Sequence, residues 1–193
     1  MSFRTIEGGA VTRHGVATLP HDRSTLLWSE DGPTPLFLDS IDRWVDAMVA
    51  DEHGGGDGPD GLVEARIVAK ASGVLCGRPV AERLLARHLS GCSAEWGASE
   101  GGSVEEGRTV LVLHGPADEI LRIERILLNL LGRLSGIASN TTQWAESAGS
   151  MCVAATRKTE WGLLDKWADR KSTRLNSSHA LNSYSVLCLK KKN

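Results

Sequence analysis

Met151-Cys152-Val153-Ala154-Ala155-Thr156-Arg157-Lys158-Thr159 passes from an unbroken apolar run directly into a doubly cationic turn. Gly149-Ser150 turns the chain into this run. Five consecutive apolar residues are too few and too uniformly apolar for an exposed strand with one wet face, so the run predicts a buried parallel strand. Trp161 to Ala168 predicts the helix that follows it. In a barrel of alternating strands and helices the C-terminal ends of the strands face the active site, and Thr156 to Thr159 occupies such an end. Arg157 offers a planar fork that matches carboxylate or phosphate, and Lys158 adds a compact point charge. The turn therefore reads as a grip for a small, multiply anionic ligand. On charge alone, pairing of Arg157 and Lys158 with the nearby acids Glu160 or Asp165 is an equal reading.

Upstream, Pro116 opens a long helical pattern whose apolar stripe is Ile120, Ile123, Leu127, Leu130, Leu131 and Leu134. Gly132 and Gly136 permit close helix approach or a break, and the pattern resumes through Trp144 to Ala148. Thr109 to His114 is rich in Val and Leu and forms a strand pair with the segment around Trp96, across a turn at Glu105-Glu106-Gly107. The paired carboxylates of that turn are read as solvated, because a catalytic carboxylate needs burial or a charged neighbour. His114 ends its strand and is assigned no role.

Leu62 to Lys70 alternates Val63, Ala65, Ile67 and Ala69 with Glu64, Arg66 and Lys70, the mark of a strand with one wet face. Pro79 sits in the first turn of a helix lined by Val80, Leu84, Leu85 and Leu89. His88 lies one step off that stripe and is read as a boundary residue, not a ligand. A further helix begins at Phe37, with Ile41, Trp44, Val45, Met48 and Val49 on one face and Asp39 or Ser40 to cap it. It stops at Gly54-Gly55-Gly56. That glycine cluster follows a helix and lacks a Gly-Lys-Ser/Thr ending, so it reads as a connector and not a phosphate loop.

Three segments together resemble the quinolinate phosphoribosyltransferase family, also called nicotinate-nucleotide pyrophosphorylase (carboxylating). They are Ile67-Val68-Ala69-Lys70-Ala71-Ser72-Gly73-Val74-Leu75-Cys76-Gly77, then Glu124-Arg125-Ile126-Leu127-Leu128-Asn129 continuing through Arg133-Leu134-Ser135-Gly136, and Thr156-Arg157-Lys158-Thr159 followed by Gly162-Leu163-Leu164. Their order and spacing agree across residues 36 to 168. The resemblance implies an α/β fold: an α+β N-terminal domain over 36–115 and the first elements of an incomplete α/β barrel over 116–168, after an unassigned leader at 1–35. It implies a reaction in which quinolinate and phosphoribosyl pyrophosphate give nicotinate mononucleotide, pyrophosphate and carbon dioxide, with magnesium on the pyrophosphate, as a step of NAD biosynthesis. It also implies a homodimer. Arg157 and Lys158 would clamp the acid, with Lys158 the catalytic residue. Arg125 would reach the active site of a partner subunit, and Thr156 would hydrogen-bond ligand or backbone. Glu124 and Asn129 would support Arg125.

Two departures accompany the matches. Trp161 stands where the family commonly has Pro, and the family's later glycine-rich segment and acidic magnesium-binding residues have no counterpart, so the polypeptide as given is expected to be inactive. Alternatives are a related pyrophosphorylase-like branch associated with molybdenum uptake, and a noncatalytic interaction module built on residues 36 to 115.

Residues 169–193, from Asp169-Arg170-Lys171-Ser172-Thr173-Arg174 to Lys190-Lys191-Lys192, show no periodicity that fits what precedes them and resemble a translated library adapter, so they are expected to be a non-native tail. Setting them aside leaves 16 cationic and 23 anionic residues, a balance of about −7 in place of the −2 of the full 193 residues. That balance argues against nucleic-acid binding through a basic patch. No apolar run reaches transmembrane length, and the start Met1-Ser2-Phe3-Arg4 lacks a secretory core, which predicts a cytoplasmic protein with no membrane partner. Cys76, Cys92, Cys152 and Cys188 form no Cys-x-x-Cys spacing, so free thiols and no protein-held metal site are expected.

Overall fold

A computed structural model describes residues 26–29, 32–52, 61–148, 159–172 and 188–191. The Gly54 to Gly58 connector, the Met151–Ala155 strand and most of the leader lie outside these residues. A short antiparallel pair, β1 (Trp28–Ser29) and β2 (Gly32–Pro33), leads into α1 (Pro35–Asp51). β3 (Leu62–Val68), the short β4 (Gly73–Val74), α2 (Arg78–His88), β5 (Ser93–Trp96), β6 (Ser103–Val104) and β7 (Thr109–Pro116) follow. The chain continues as α3 (Ala117–Ala148), α4 (Leu163–Ser172) and β8 (Cys188–Lys191).

The main sheet is antiparallel in the order β5-β7-β3-β8, and β4 pairs separately with β6. Register explains its two faces. Ala65 opposes Leu113 and Ile67 opposes Leu111, with Ala94 and Trp96 alongside from β5. Ile67, Leu111 and Leu113 are buried under the helices. On the reverse face Glu64, His114 and Ser93 form one cross-strand row, and Arg66, Val112 and Glu95 the next. Glu64 accepts a hydrogen bond from Arg66 Nε at 2.6 Å there, the wet face that the alternation of Leu62 to Lys70 predicts. The register slips between Ile67 and Val68, and this bulge lets the consecutive residues Val110 and Leu111 both be buried.

α1 begins earlier than the pattern from Phe37 suggests, and its cap is neither Asp39 nor Ser40. Thr34 Oγ1 accepts from Phe37 N at 3.3 Å, and Pro35 occupies the first turn. A proline whose fixed φ suits a helix start, next to a hydroxyl cap, sets the boundary. Ser40 is buried inside the helix instead.

α2 starts at a glycine with φ +114, Gly77, which makes no side-chain cap. The carboxylate of Glu100 does that work, accepting from Gly77 N at 3.1 Å and Arg78 N at 2.9 Å. Proline at the first turn agrees with the expectation for Pro79.

α3 is a single helix of 32 residues, unbroken at Gly132 and Gly136. Both glycines are buried inside the continuous helix, so neither marks a break. One turn apart on this helix, Ser135 and Ser139 fasten the β4 loop. Val74 N donates to Ser139 Oγ at 2.8 Å, while Ser135 Oγ accepts from Cys76 N at 3.0 Å and donates to Cys76 O at 3.1 Å. A Cβ on Gly73 would lie 2.5 Å from Ser139 Oγ, which explains a glycine there.

The last helix differs from its predicted bounds of 161 to 168. α4 starts at Leu163, behind a turn at Trp161-Gly162 with Gly162 at φ +55, and continues to Ser172. Asp169 is buried and accepts from Thr141 Oγ1 at 3.0 Å. β8 lies antiparallel on β3, from Ala65 opposite Lys191 to Val68 opposite Cys188. Secondary structure thus extends past residue 169: α4, docked through Leu164, Trp167 and Ala168, propagates one hydrogen bond per residue beyond them, and β8 adds an edge strand to the sheet.

One hydrophobic cluster spans Leu27 to Ala168 and includes side chains of α1, α2, β3, β7, α3 and α4. The segments 36–115 and 116–168 share this core, which weighs against an independent module built on the first of them.

Ion pairs join α1 to α2. Arg83 Nε donates to Asp42 Oδ1 at 2.8 Å, Arg87 Nη2 to Asp46 Oδ2 at 2.6 Å, and His88 Nε2 lies 3.1 Å from Asp46 Oδ1. His88 is therefore a boundary residue in an ion-pair row. The Arg83 hydrogen bond holds the Asp42 carboxyl below its ordinary 3.8, and the Arg87 hydrogen bond does the same for Asp46. A carboxyl whose folded value is depressed contributes stability that is present above its unfolded value and is lost as pH falls through the folded one. Acid titration of the unfolding midpoint will show this loss beginning near pH 4 and growing below it, and the double variant Asp42→Asn/Asp46→Asn will have a flatter acid limb. Parallel acid limbs in the two proteins would refute the assignment.

Candidate functional site

Thr156, Arg157 and Lys158 lie outside the described residues. Thr159 Oγ1 donates to Gly162 O at 3.2 Å. Trp161 N donates to Asp165 Oδ2 at 3.0 Å, closing the turn that opens α4.

Arg133 of α3 organises this turn. Its Nε donates to Asp165 Oδ1 at 2.8 Å and its Nη2 to Asp165 Oδ2 at 2.7 Å, a bidentate fork. Nη1 reaches Glu160 Oε2 at 2.7 Å. The guanidinium also lies over the Trp161 ring, 4.8 Å from its centroid. The Arg133 side chain is 15% exposed and that of Asp165 only 5%. The Asp165 hydrogen bonds, and then Glu160, hold the guanidinium firmly in its charged form against the cost of burial.

Glu160 and Asp165, the acids that the sequence offers as partners for Arg157 and Lys158, are thus both engaged by Arg133. Sequence reasoning gave Arg133 no role. The sequence offered only a weak trace: Asn129, Leu130, Gly136 and Ile137 surround it at helical spacing without an acid, so any ion-pair partner lies on another element.

Trp161 turns into the seam between helices. Its ring stacks on Trp44 of α1 with centroids 5.9 Å apart. The departure from proline is accommodated as packing between α1 and the start of α4.

Arg125 projects from α3 with 74% of its side chain exposed, and its ion-pair partner is Glu52, at the C-cap of α1, 3.5 Å away. Glu124, the expected support, is half-buried, and Asn129 is exposed on the same helix. At 3.5 Å and with its guanidinium mostly in solvent, this pair contributes little to stability, so Arg125 is not committed to holding the fold.

A shallow groove of ≈ 380 Å³ lies elsewhere, lined by Leu62, Val63, Gly91, His114 and Gly115. It adjoins the start of α3, where Glu119 Oε2 accepts from Gly91 N at 3.3 Å. Burial, and then the Glu119 charge, push the nearby Cys92 thiol above its ordinary value, so it is a poor nucleophile. Glu119 and Arg133 are about 20 Å apart along α3 at the usual helical rise, so this groove is separate from the turn that Arg133 organises. Among the described residues no group of three or more His, Cys, Asp or Glu side chains gathers to hold a metal. No helix among them is long and apolar enough to cross a membrane.

Residues 47–135 match the family model for the quinolinate phosphoribosyl transferase N-terminal domain. The chain is 37% identical over 111 residues to the chloroplastic nicotinate-nucleotide pyrophosphorylase [carboxylating] of Oryza sativa subsp. japonica, covering 56% of this chain and 30% of that protein. It is 38% identical over 117 residues to a probable nicotinate-nucleotide pyrophosphorylase [carboxylating] of Methanothermobacter thermautotrophicus, covering 58% of this chain and 40% of the relative. The matches therefore span well under half the length of these relatives. Among solved structures, the nicotinate-nucleotide pyrophosphorylase of Francisella tularensis superimposes with a TM-score of 0.66 at 25% identity, over 72% of this chain and 54% of the other. NadC of Streptococcus pyogenes gives 0.65 at 28% identity, over 75% and 55%.

Proposed function

We propose, on the premise that the chain belongs to the quinolinate phosphoribosyltransferase family through its N-terminal domain, that it is part of an enzyme joining quinolinate to phosphoribosyl pyrophosphate with loss of carbon dioxide. The observation that carries the reading is the family match over residues 47–135, which includes the exposed Arg125 on α3. The product is nicotinate mononucleotide, and the reaction serves NAD biosynthesis.

The chemistry assigns work to cations. The pyridine nitrogen bonds to the anomeric carbon as the bond to pyrophosphate breaks, and charge builds on the departing oxygens. Positive groups fixed in place stabilise that charge without reorganising. Magnesium bound with the co-substrate's pyrophosphate would supply further positive charge there; the described residues hold no cluster of ligands for it. Once alkylated, the ring nitrogen is positive and draws in the electron pair released when the adjacent carboxylate leaves as carbon dioxide, and a proton then fills that carbon. The protein's share is to orient the acid and exclude water from the carboxylate. Arg157 and Lys158 clamp the dicarboxylate, with Lys158 nearest the chemistry, and Thr156 hydrogen-bonds ligand or backbone. Arg125 extends into the site of a second subunit in a homodimer. The enzyme works on small molecules in the cytoplasm, and the chain as given is inactive by itself.

Quinolinate should raise the thermal midpoint of the intact parent enzyme, since a ligand at about 100 times its Kd adds about 2.7 kcal/mol. Arg157→Ala should abolish that shift while leaving the ligand-free midpoint in place. An undiminished shift in Arg157→Ala would overturn the assignment.

A further inference from the structure

We propose that the outer edge of β3 is a docking site for β3 of a second copy of this chain, giving a two-fold, edge-to-edge dimer in which the main sheets of the two copies become one. The proposal uses nothing of the functional reading above.

β3 pairs with β7 along one side from Leu62 to Val68. Along its other side β8 reaches only from Ala65 to Val68, and the seat of β8 shows that a strand fits there. A strand edge with unpaired N–H and C=O groups is a template for another chain. β3 contains no proline, and the slip between Ile67 and Val68 puts its extra residue, Val110, on β7, so β3 stays regular over its seven residues.

Its sequence selects the partner. Leu62-Val63-Glu64-Ala65-Arg66-Ile67-Val68 is its own complement when two copies run antiparallel about Ala65. Glu64 of each copy then stands opposite Arg66 of the other, Val63 opposite Ile67, and Leu62 opposite Val68. Both charge pairs fall on the wet face, and both Val63–Ile67 pairs on the face that the helices cover. Opposite charges and apolar residues set directly across from each other are the units that stabilise a sheet. The contact between Arg66 and Glu64 within one strand, 2.6 Å, becomes part of a ring of alternating charges. Leu62, 81% exposed in the single chain, gains an apolar neighbour. An isologous contact about a two-fold axis is closed, so association stops at the dimer.

β8 is the competitor for this edge. Its register puts Lys190 opposite Arg66, a like-charge pairing that works against it, and leaves Leu62 to Glu64 uncovered. Its advantage is the high effective concentration of a segment on the same chain. Disabling β8 therefore opens the site.

The test measures sedimentation equilibrium of the full 193-residue chain from micromolar to millimolar concentration, with reductant present so that Cys76 and Cys92 form no disulfide, and with circular dichroism showing each variant folded. Leu189→Pro removes a ladder donor from β8 and should tighten dimerisation by about tenfold or more over the unaltered chain. In that background Glu64→Arg and Arg66→Glu should each weaken it by about tenfold or more, because like charges then oppose each other at both positions. An equimolar mixture of the two should recover it, since one strand brings two cations and the other two anions. The double variant Glu64→Arg/Arg66→Glu, self-complementary again, should dimerise as Leu189→Pro alone does. The proposal is overturned if Leu189→Pro stays monomeric, if the single charge variants dimerise as well as it does, or if their mixture associates no more tightly than its components.

Discussion

Replacing Trp167 by alanine will destabilise the whole chain by about 3–5 kcal/mol, the range for removing a large aromatic from a packed core. Trp167 of α4 is 1% exposed and lies in a cage with Trp28 and Phe37, at centroid distances of 6.2 and 5.6 Å. Those partners belong to the start of the described chain, so the substitution removes a packing contact between α4 and that start. Because one core runs from Leu27 to Ala168, the loss should appear as one cooperative transition at lower denaturant, seen equally by tryptophan fluorescence and by far-ultraviolet circular dichroism. Two separated transitions, with the sheet unfolding at its original midpoint, would show that the segments before and after residue 116 fold independently.

The second large effect is expected at Gly115. A Cβ there would lie 2.2 Å from Cys92 Sγ and 3.0 Å from Cys92 Cα. Gly115 sits inside β7 opposite Val63, so the strand cannot shift without breaking its ladder. Overpacking of this kind costs about 1–3 kcal/mol, and a backbone neighbour places Gly115→Ala at the upper end. Adding Cys92→Ala removes the sulfur but leaves the backbone contact, so the double variant should recover only part of the loss in a chemical denaturation series. Full recovery would place the whole conflict at the thiol, and no loss in the single variant would refute the close packing.

Much of the fold was legible because its elements have strong periods. The alternation from Val63 to Ala69 gave a strand and its wet face, and the stripe from Ile120 to Leu134 gave α3. Element ends were harder, since they depend on caps. Thr34 and Pro35 outweigh Asp39 and Ser40 at α1, and Gly162 delays α4. Gly132 and Gly136 illustrate the opposite difficulty: a glycine that permits a break and one that permits close contact look alike until the neighbouring element is known. Charge and motif drew attention to Thr156, Arg157 and Lys158, which lie outside the described residues, and to Arg125 through its place in Glu-Arg-x-x-Leu-Asn. Arg133 was not legible, because its meaning comes from Asp165 and Glu160, acids 32 and 27 residues away that only the tertiary structure brings to it.

The Glu100 carboxylate at the beginning of α2 has an electrostatic corollary. The amides that commonly welcome a phosphate at a helix start are already spoken for by an anion from the same polypeptide, on a short tether that no solution-phase competitor matches. A diphosphate approaching that corner would meet negative potential instead of a vacancy. A phosphate-bearing ligand is thereby denied this corner, and any grip on one has to be built from other groups.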